Sequence, residues 1–172
     1  MGGVKAGALA AAMAALVAAS PASAQSLSVD DPDFLSLGAG AFDFDHEQTA
    51  GEFLVEYRSN YKLLGFLKPF LGGMVTTDRA LYGYGGFNID IYFGNRFVLM
   101  PNAAVGAFTR GDGKNLGSNL EFRTGAEFAY RFDDRSRLGV AFNHISNAGI
   151  TKRNPGTETI MLVYSIPFSL LK

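Results

Sequence analysis

Residues 119–132 read Asn-Leu-Glu-Phe-Arg-Thr-Gly-Ala-Glu-Phe-Ala-Tyr-Arg-Phe. Taken alternately, Leu120, Phe122, Thr124, Ala126, Phe128, Tyr130 and Phe132 form a largely apolar row. Asn119, Glu121, Arg123, Gly125, Glu127, Ala129 and Arg131 form a polar and ionic one. Successive side chains of a β-strand point to opposite faces, so this stretch is a strand with one greasy side and one charged side. Strands of this kind, broken by Gly, Asp, Asn and Ser, extend in both directions. They cover Phe34 to Phe42, Gly51 to Arg58, Leu67 to Thr77, Leu81 to Phe93, Phe97 to Phe108, Arg137 to Asn147 and Thr157 to Phe168, eight strands in all. An even number returns both ends of the chain to one side.

Alternation by itself fits two architectures. A soluble sandwich or lipocalin-like barrel turns its apolar rows inward, and a membrane barrel turns them outward. Three features favour the second: long strands whose apolar rows are rich in Phe and Tyr, polar rows of mixed charge, and links of two lengths. Glu52, Glu56 and Arg58 on the second strand, with Glu121, Arg123, Glu127 and Arg131 on the sixth, can pair inside a narrow lumen. Gly94-Asn95-Arg96 and Asp133 to Ser136 are tight turns, whereas Thr109 to Ser118 is long and polar. The expectation is an all-β fold, an eight-stranded antiparallel transmembrane β-barrel, with the tight turns and both termini on the periplasmic side. Under that topology the link around Thr77 to Ala80 is unusually short for an outer loop, which points to misplaced strand boundaries.

Composition narrows the function. The chain has 172 residues, 48% hydrophobic and 18% charged, with 15 Lys and Arg against 16 Asp and Glu. One domain fits this length. The absence of Cys excludes disulfide scaffolds and thiolate metal sites. Net charge near zero argues against nucleic-acid binding, which needs concentrated positive charge. Residues 1–24 read as a cleaved export signal: Lys5, then small apolar residues from Ala6 to Ala19, then Ser20-Pro21-Ala22-Ser23-Ala24 with a small-x-small end. Cleavage after Ala24 leaves residues 25–172 as a single barrel domain.

Three polar residues stand on a row that should be apolar. Leu138, Val140 and Phe142 continue to His144 and Ser146; Phe168, Ile166, Tyr164, Leu162 and Ile160 run back to Glu158. His144 and Glu158 are equidistant from Thr151 at the hairpin centre, so pairing brings them within about 5 Å between Cβ atoms. Ser146 lies about 7 Å along the strand from His144. Ester hydrolysis needs such a trio: a hydroxyl nucleophile, an imidazole to take its proton, and a carboxylate to orient the imidazole. Polar residues marking a water interface would also produce this pattern.

Phe142-Asn143-His144-Ile145-Ser146-Asn147-Ala148-Gly149, followed by Asn154-Pro155-Gly156-x-Glu158, resembles the signature of the PagL family of outer-membrane lipid A 3-O-deacylases. The resemblance is close over this C-terminal segment and looser over the rest. It implies an eight-stranded outer-membrane barrel that hydrolyses the ester-linked 3-hydroxyacyl chain at position 3 of lipid A, with lipopolysaccharide of the outer leaflet as its partner. It further implies Ser146 as nucleophile, His144 as general base and Glu158 as its orienting acid. Asn154 and the Gly149 amide would form the oxyanion hole, and Asn147 has either a supporting or a turn-forming role. No metal or organic cofactor is required, and the barrel-assembly machinery is the expected partner during insertion. One departure is the tail Ser169-Leu170-Leu171-Lys172 after Phe168, where such barrels commonly end on an aromatic.

The remaining polar residues have structural readings. His46 stands between Asp45 and Glu47 in the first outer loop and is read as ordinary loop composition rather than a metal site. Asp43 and Asp90 are expected in lumen charge networks, Tyr57, Tyr130 and Tyr164 on the lipid face, and Lys152 and Arg153 in a solvated turn or against lipid A phosphates. Two other functions stay open: a non-catalytic outer-membrane barrel with a structural or adhesion role, and a soluble lipocalin-like binder.

Overall fold

The computed structural model describes residues 31–46 and 48–171; the export signal of residues 1–24 lies outside them. Its strands are β1 (Phe34–Phe42), β2 (Ala50–Arg58), β3 (Lys68–Thr76), β4 (Leu81–Asn88), β5 (Ile91–Phe93), β6 (Phe97–Thr109), β7 (Leu120–Arg131), β8 (Arg137–Ser146) and β9 (Thr157–Pro167). Neighbours pair antiparallel, β1 closes against β9, and β4 and β5 both pair with β6. The nine segments therefore make eight staves of one closed barrel.

The single strand expected over Leu81 to Phe93 divides at Ile89-Asp90, although its register against β6 runs unbroken from Asn88↔Asn102 to Ile91↔Leu99. Pro101 stands opposite the gap. It accepts from the Ile89 amide at 3.1 Å but has no N–H to return, so the ladder skips there. The link at 77–80 is a true four-residue turn rather than a boundary error. Thr76 N donates to Ala80 O at 3.0 Å and Arg79 takes φ +64°. The longer 110–119 loop leans over it, with Asp112 N donating to Asp78 O at 2.8 Å and an Arg79–Asp112 ion pair.

The two rows of each stave face as the mixed charges require. On β7, Glu121, Arg123 and Glu127 are buried in the interior, while Phe128 is 51% exposed. Phe53, Val55, Leu71, Val140 and Leu162 likewise cover the outside with apolar surface. An eight-stave barrel has room only for side chains in its lumen, and here those side chains are ionic. Arg123 Nη2 reaches Glu56 Oε1 at 2.8 Å and its guanidinium lies 4.1 Å from the Tyr84 ring centre. Arg58 bridges Glu56 and Glu127, each at 2.8 Å. At the end of the barrel holding both termini, Asp90 receives Lys68 at 2.8 Å and Arg137 at 2.9 Å. Asp31, just before β1, plugs this end through Arg137 at 2.5 Å, Arg131 at 2.9 Å and the Tyr92 hydroxyl.

The last strand stops at Pro167 and does not extend into the tail. A one-turn 3₁₀ segment, Phe168–Leu170, follows β9, and Phe168 N donates to Asp33 O at 2.9 Å. The termini, the 94–96 turn and the 132–136 turn share one rim. The links 43–49, 77–80, 110–119 and 147–156 share the other.

Removing one member of a buried ion pair costs about 3–5 kcal/mol, because its partner stays buried and uncompensated. Arg123→Ala should therefore lower barrel stability by about that amount in urea unfolding. Glu121→Gln should be neutral or stabilising, since neither Glu121 carboxylate oxygen has a hydrogen-bond partner. Equal losses in the two variants would contradict this account of the lumen.

Asp31 adds a dependence on pH. Burial raises its carboxyl, but the Arg137 charge, the Tyr92 and Arg137 hydrogen bonds and Arg131 outweigh burial and hold it below its ordinary 3.8. A depressed carboxylate contributes stability that is fully present above the unfolded value and lost as pH falls through the folded one. Asp31→Asn should thus lower the unfolding midpoint at neutral pH, with the gap to the wild type closing below about pH 4; a gap independent of pH would refute the assignment.

Candidate functional site

The register of β8 against β9 places His144 directly opposite Glu158. Both belong to the outward rows that carry Phe142 on β8 and Ile160 on β9. Cross-strand neighbours on one face meet, and His144 Nδ1 lies 2.9 Å from Glu158 Oε1. In a neutral imidazole this contact holds the proton on Nδ1 and leaves Nε2 as an acceptor. Both side chains are half-buried, at 23% and 27% exposure, so they are open to a molecule arriving from outside the barrel.

Ser146 is two residues further along the same row, opposite Phe122 and half-buried. Among the described residues its side chain makes no hydrogen bond, so imidazole and carboxylate are joined while Ser146 stands further along the row unbonded. Gly156 approaches the imidazole from the other strand. A Cβ added there would sit 2.8 Å from His144 Cε1 and 3.4 Å from Nε2, and φ is +66°. Glycine thus keeps the Nε2 edge clear in a left-handed backbone.

The 147–156 link is organised by Asn147, which is fully buried. Its Nδ2 faces Leu116 O at 3.0 Å, Thr151 Oγ1 at 3.0 Å and Arg153 O at 2.8 Å. Its Oδ1 accepts from Gly149 N at 3.0 Å, and its own N–H donates to Asn154 Oδ1 at 3.1 Å. The Asn154 amide oxygen is therefore engaged, and among the described residues its Nδ2 has no acceptor. The Gly149 amide is engaged by Asn147 within the turn. Gly117 of the neighbouring loop fits beneath Arg153, where a Cβ would lie 2.0 Å from the carbonyl oxygen.

The first rim loop also reaches the site. Phe42 pairs with Thr159, so the residues after Phe42 run beside Glu158. Phe44 N donates to Glu158 O at 3.4 Å, and the Phe44 and Phe142 rings meet edge-on at 6.0 Å. His46 Nδ1 bonds Asp45 Oδ1 at 2.7 Å and stands 4.0 Å from Glu158 Oε2. The sequence, in which His46 reads as ordinary loop composition, does not reveal this proximity; pairing of Phe42 with the strand bearing Glu158 is the available signal. Asp43, Asp45 and His46 do cluster, with donor atoms within 4.8 Å. Lys114 Nζ, 2.5 Å from Asp43 Oδ1, supplies positive charge there. Asp43 therefore joins a rim network, whereas Asp90 lies in the lumen network as expected. Tyr57, Tyr130 and Tyr164 are exposed on the outer surface.

Comparison with known proteins adds a family. Residues 70–167, more than half of the chain, match the model of the family described as lipid A 3-O-deacylase (PagL). The lipid A deacylase PagL of Bordetella bronchiseptica (strain RB50) is 31% identical over 77 residues, 44% of this chain and 43% of that protein. The lipid A deacylase PagL of Pseudomonas aeruginosa (strain PAO1) is 40% identical over 65 residues, 37% of this chain and 38% of that protein. These alignments span about two fifths of either relative's length. The crystal structure of the outer membrane enzyme PagL superposes with a TM-score of 0.59 at 21% identity, covering 78% of this chain and 99% of that one, which establishes a common barrel fold.

The geometry makes Asn147 the keystone of the rim loop. Asn147→Ala leaves the Leu116 carbonyl without its donor and the Arg153 carbonyl with Thr151 Oγ1 alone, and an unmet buried group costs about 1–3 kcal/mol. Trypsin cleavage of the folded barrel after Lys152 or Arg153 should become at least about fivefold faster, while the unfolding midpoint of the barrel stays close to that of the wild type. Unchanged cleavage would show that the loop is held by other contacts.

Proposed function

The chain belongs to the lipid A 3-O-deacylase (PagL) family, and from that premise we propose that it is a serine esterase of the outer membrane. It hydrolyses the 3-O-linked 3-hydroxyacyl chain of lipid A. The observation that carries this reading is the 2.9 Å His144–Glu158 contact on an outward row that is otherwise apolar. A hydrogen-bonded His–Glu pair exposed among Phe142, Ile160 and Leu162 has no packing purpose. It has a chemical one if an ester-linked chain lies along that surface.

Ser146 Oγ attacks the ester carbonyl carbon and gives its proton to His144 Nε2. Glu158 keeps the imidazole in the required tautomer and stabilises the imidazolium. The carbonyl π pair moves onto oxygen, which Asn154 Nδ2 and the Gly149 amide receive. Gly149 reaches the oxyanion by sharing or releasing its bond to Asn147 Oδ1, so Asn154 is the readier donor. Asn147 acts as a positioning residue for both. The tetrahedral intermediate collapses by breaking the bond to the sugar 3-oxygen, which takes the proton from His144. Water then hydrolyses the acyl-enzyme by the same route, releasing a 3-hydroxy fatty acid. The Ser146–His144 hydrogen bond forms by rotation about the serine side chain as substrate binds; such contacts are often long in a free enzyme.

The apolar outer surface supports a membrane-spanning barrel. Its rim of 43–49, 110–119 and 147–156 then lies at the outer leaflet, with the site level with the ester bonds of lipid A and the chains packed along Val140, Phe142, Ile160 and Leu162. This placement lets the enzyme cut an acyl chain without extracting it.

Mass spectrometry of lipid A from cells making the wild type should show loss of one 3-hydroxyacyl chain, and Ser146→Ala should abolish that change. In purified protein Ser146→Ala should lower kcat by at least about 10³-fold, with Glu158→Ala less severe. Identical lipid A spectra from cells holding equal amounts of folded wild type and variant would sink the esterase.

A further inference from the structure

The rim around the His144–Glu158 pair is electrically lopsided. On one side the β1–β2 loop carries Asp43 and Asp45. On the other the β8–β9 loop carries Lys152 and Arg153, both exposed. Lys114 is paired with Asp43 and Arg79 with Asp112, while Arg110 lies in the separate 110–119 loop. Among the described residues, neither Lys152 nor Arg153 has a carboxylate in ion-pair range. Their mount is nonetheless fixed. The Arg153 carbonyl accepts from Asn147 Nδ2 and Thr151 Oγ1, each at 2.8 Å, and Gly117 packs beneath it. Asn154, the proposed oxyanion donor, follows directly in the chain. Lys152 and Arg153 thus stand exposed on a braced turn that leads directly into Asn154.

We propose that Lys152 and Arg153 clamp a phosphate monoester carried by the acylated sugar, and so fix which end of the substrate lies over the β8–β9 loop. This rests on the deacylase reading above and names the rim residues that hold the substrate's phosphate. Guanidinium and phosphate match in geometry and charge, and ammonium adds a second positive charge. Asp45, exposed on the β1–β2 loop, repels the same phosphate, so the reversed pose is disfavoured. The clamp acts on binding and orientation, not on the chemical step.

The test uses the full barrel in neutral detergent with Ser146→Ala to prevent turnover, alone and combined with Lys152→Gln and Arg153→Gln. Ligands are lipid A and the same lipid A after removal of its phosphates. The cation-free variant should bind phosphorylated lipid A at least about fivefold more weakly, as expected for two exposed pairs. It should bind dephosphorylated lipid A unchanged, and Lys152→Arg with Arg153→Lys should restore the difference. Equal weakening for both ligands, or none, would overturn the clamp. Phosphatidylglycerol or inorganic phosphate displacing lipid A at equal concentration would show recognition of phosphate without the sugar, and would also overturn it. Failure of the wild type to release 3-hydroxy acid from either lipid A would sink the deacylase reading, while these binding measurements still decide the clamp.

Discussion

The register of β8 against β9 governs everything at the rim. With His144 opposite Glu158, imidazole and carboxylate share a face and meet at 2.9 Å. A slip of one residue would turn one of them into the lumen, because the side-chain period of a strand is two. Such a slip of β8 would also move Arg137 off Asp31 and Asp90 and push Ala141 and Ile145 to the outer surface. Parity is therefore enforced along the whole stave, by ions and packing at one end and by the His–Glu contact at the other. The site inherits its precision from the barrel rather than from its own loop.

The lumen ions have a second consequence. Arg123, Glu56, Arg58 and Glu127 form a chain of contacts across β2 and β7, which are not neighbours in the sheet. Hydrogen bonds around the wall set only the pairing of adjacent staves; these cross-lumen pairs tie opposite walls together. Buried pairs of this kind are weak evidence for net stability but impose geometry, since each charge tolerates few partners. Glu121, without a partner, contributes no such geometry.

Much of this was legible in the alternation of residues 119–132 and in the three polar residues that interrupt the outward rows. Parity along two strands and the distance to Thr151 suffice to set His144 against Glu158. What the chain order concealed is contact between loops far apart in sequence. Nothing in the pattern announces that Gly117 fits under the Arg153 carbonyl, or that Asn147 joins Leu116 to Arg153. Nor did composition separate the strand break at Ile89-Asp90 from a continuous stave, because the cause is Pro101 on the partner strand. The short 77–80 turn looked like an error of boundaries for a related reason: the 110–119 loop covers it, and a single segment read alone cannot reveal its neighbour.

A polar cluster on the outer surface of a membrane barrel carries an energetic penalty that depends on depth, and that dependence accounts for where the site lies. An uncompensated charge deep in hydrocarbon is expensive, whereas near the interface the cost falls to about 0–1 kcal/mol. Placing His144, Ser146 and Glu158 at the rim end of β8 and β9 lowers that cost, and pairing imidazole with carboxylate lowers it again. The same height is where an acyl ester of a lipid meets its sugar. A site further down would be dry and costly to charge; a site in the loops would lose the staves that hold His144 and Glu158 in register. The rim end of a hairpin satisfies both demands, with apolar strand on one side and a braced polar loop on the other.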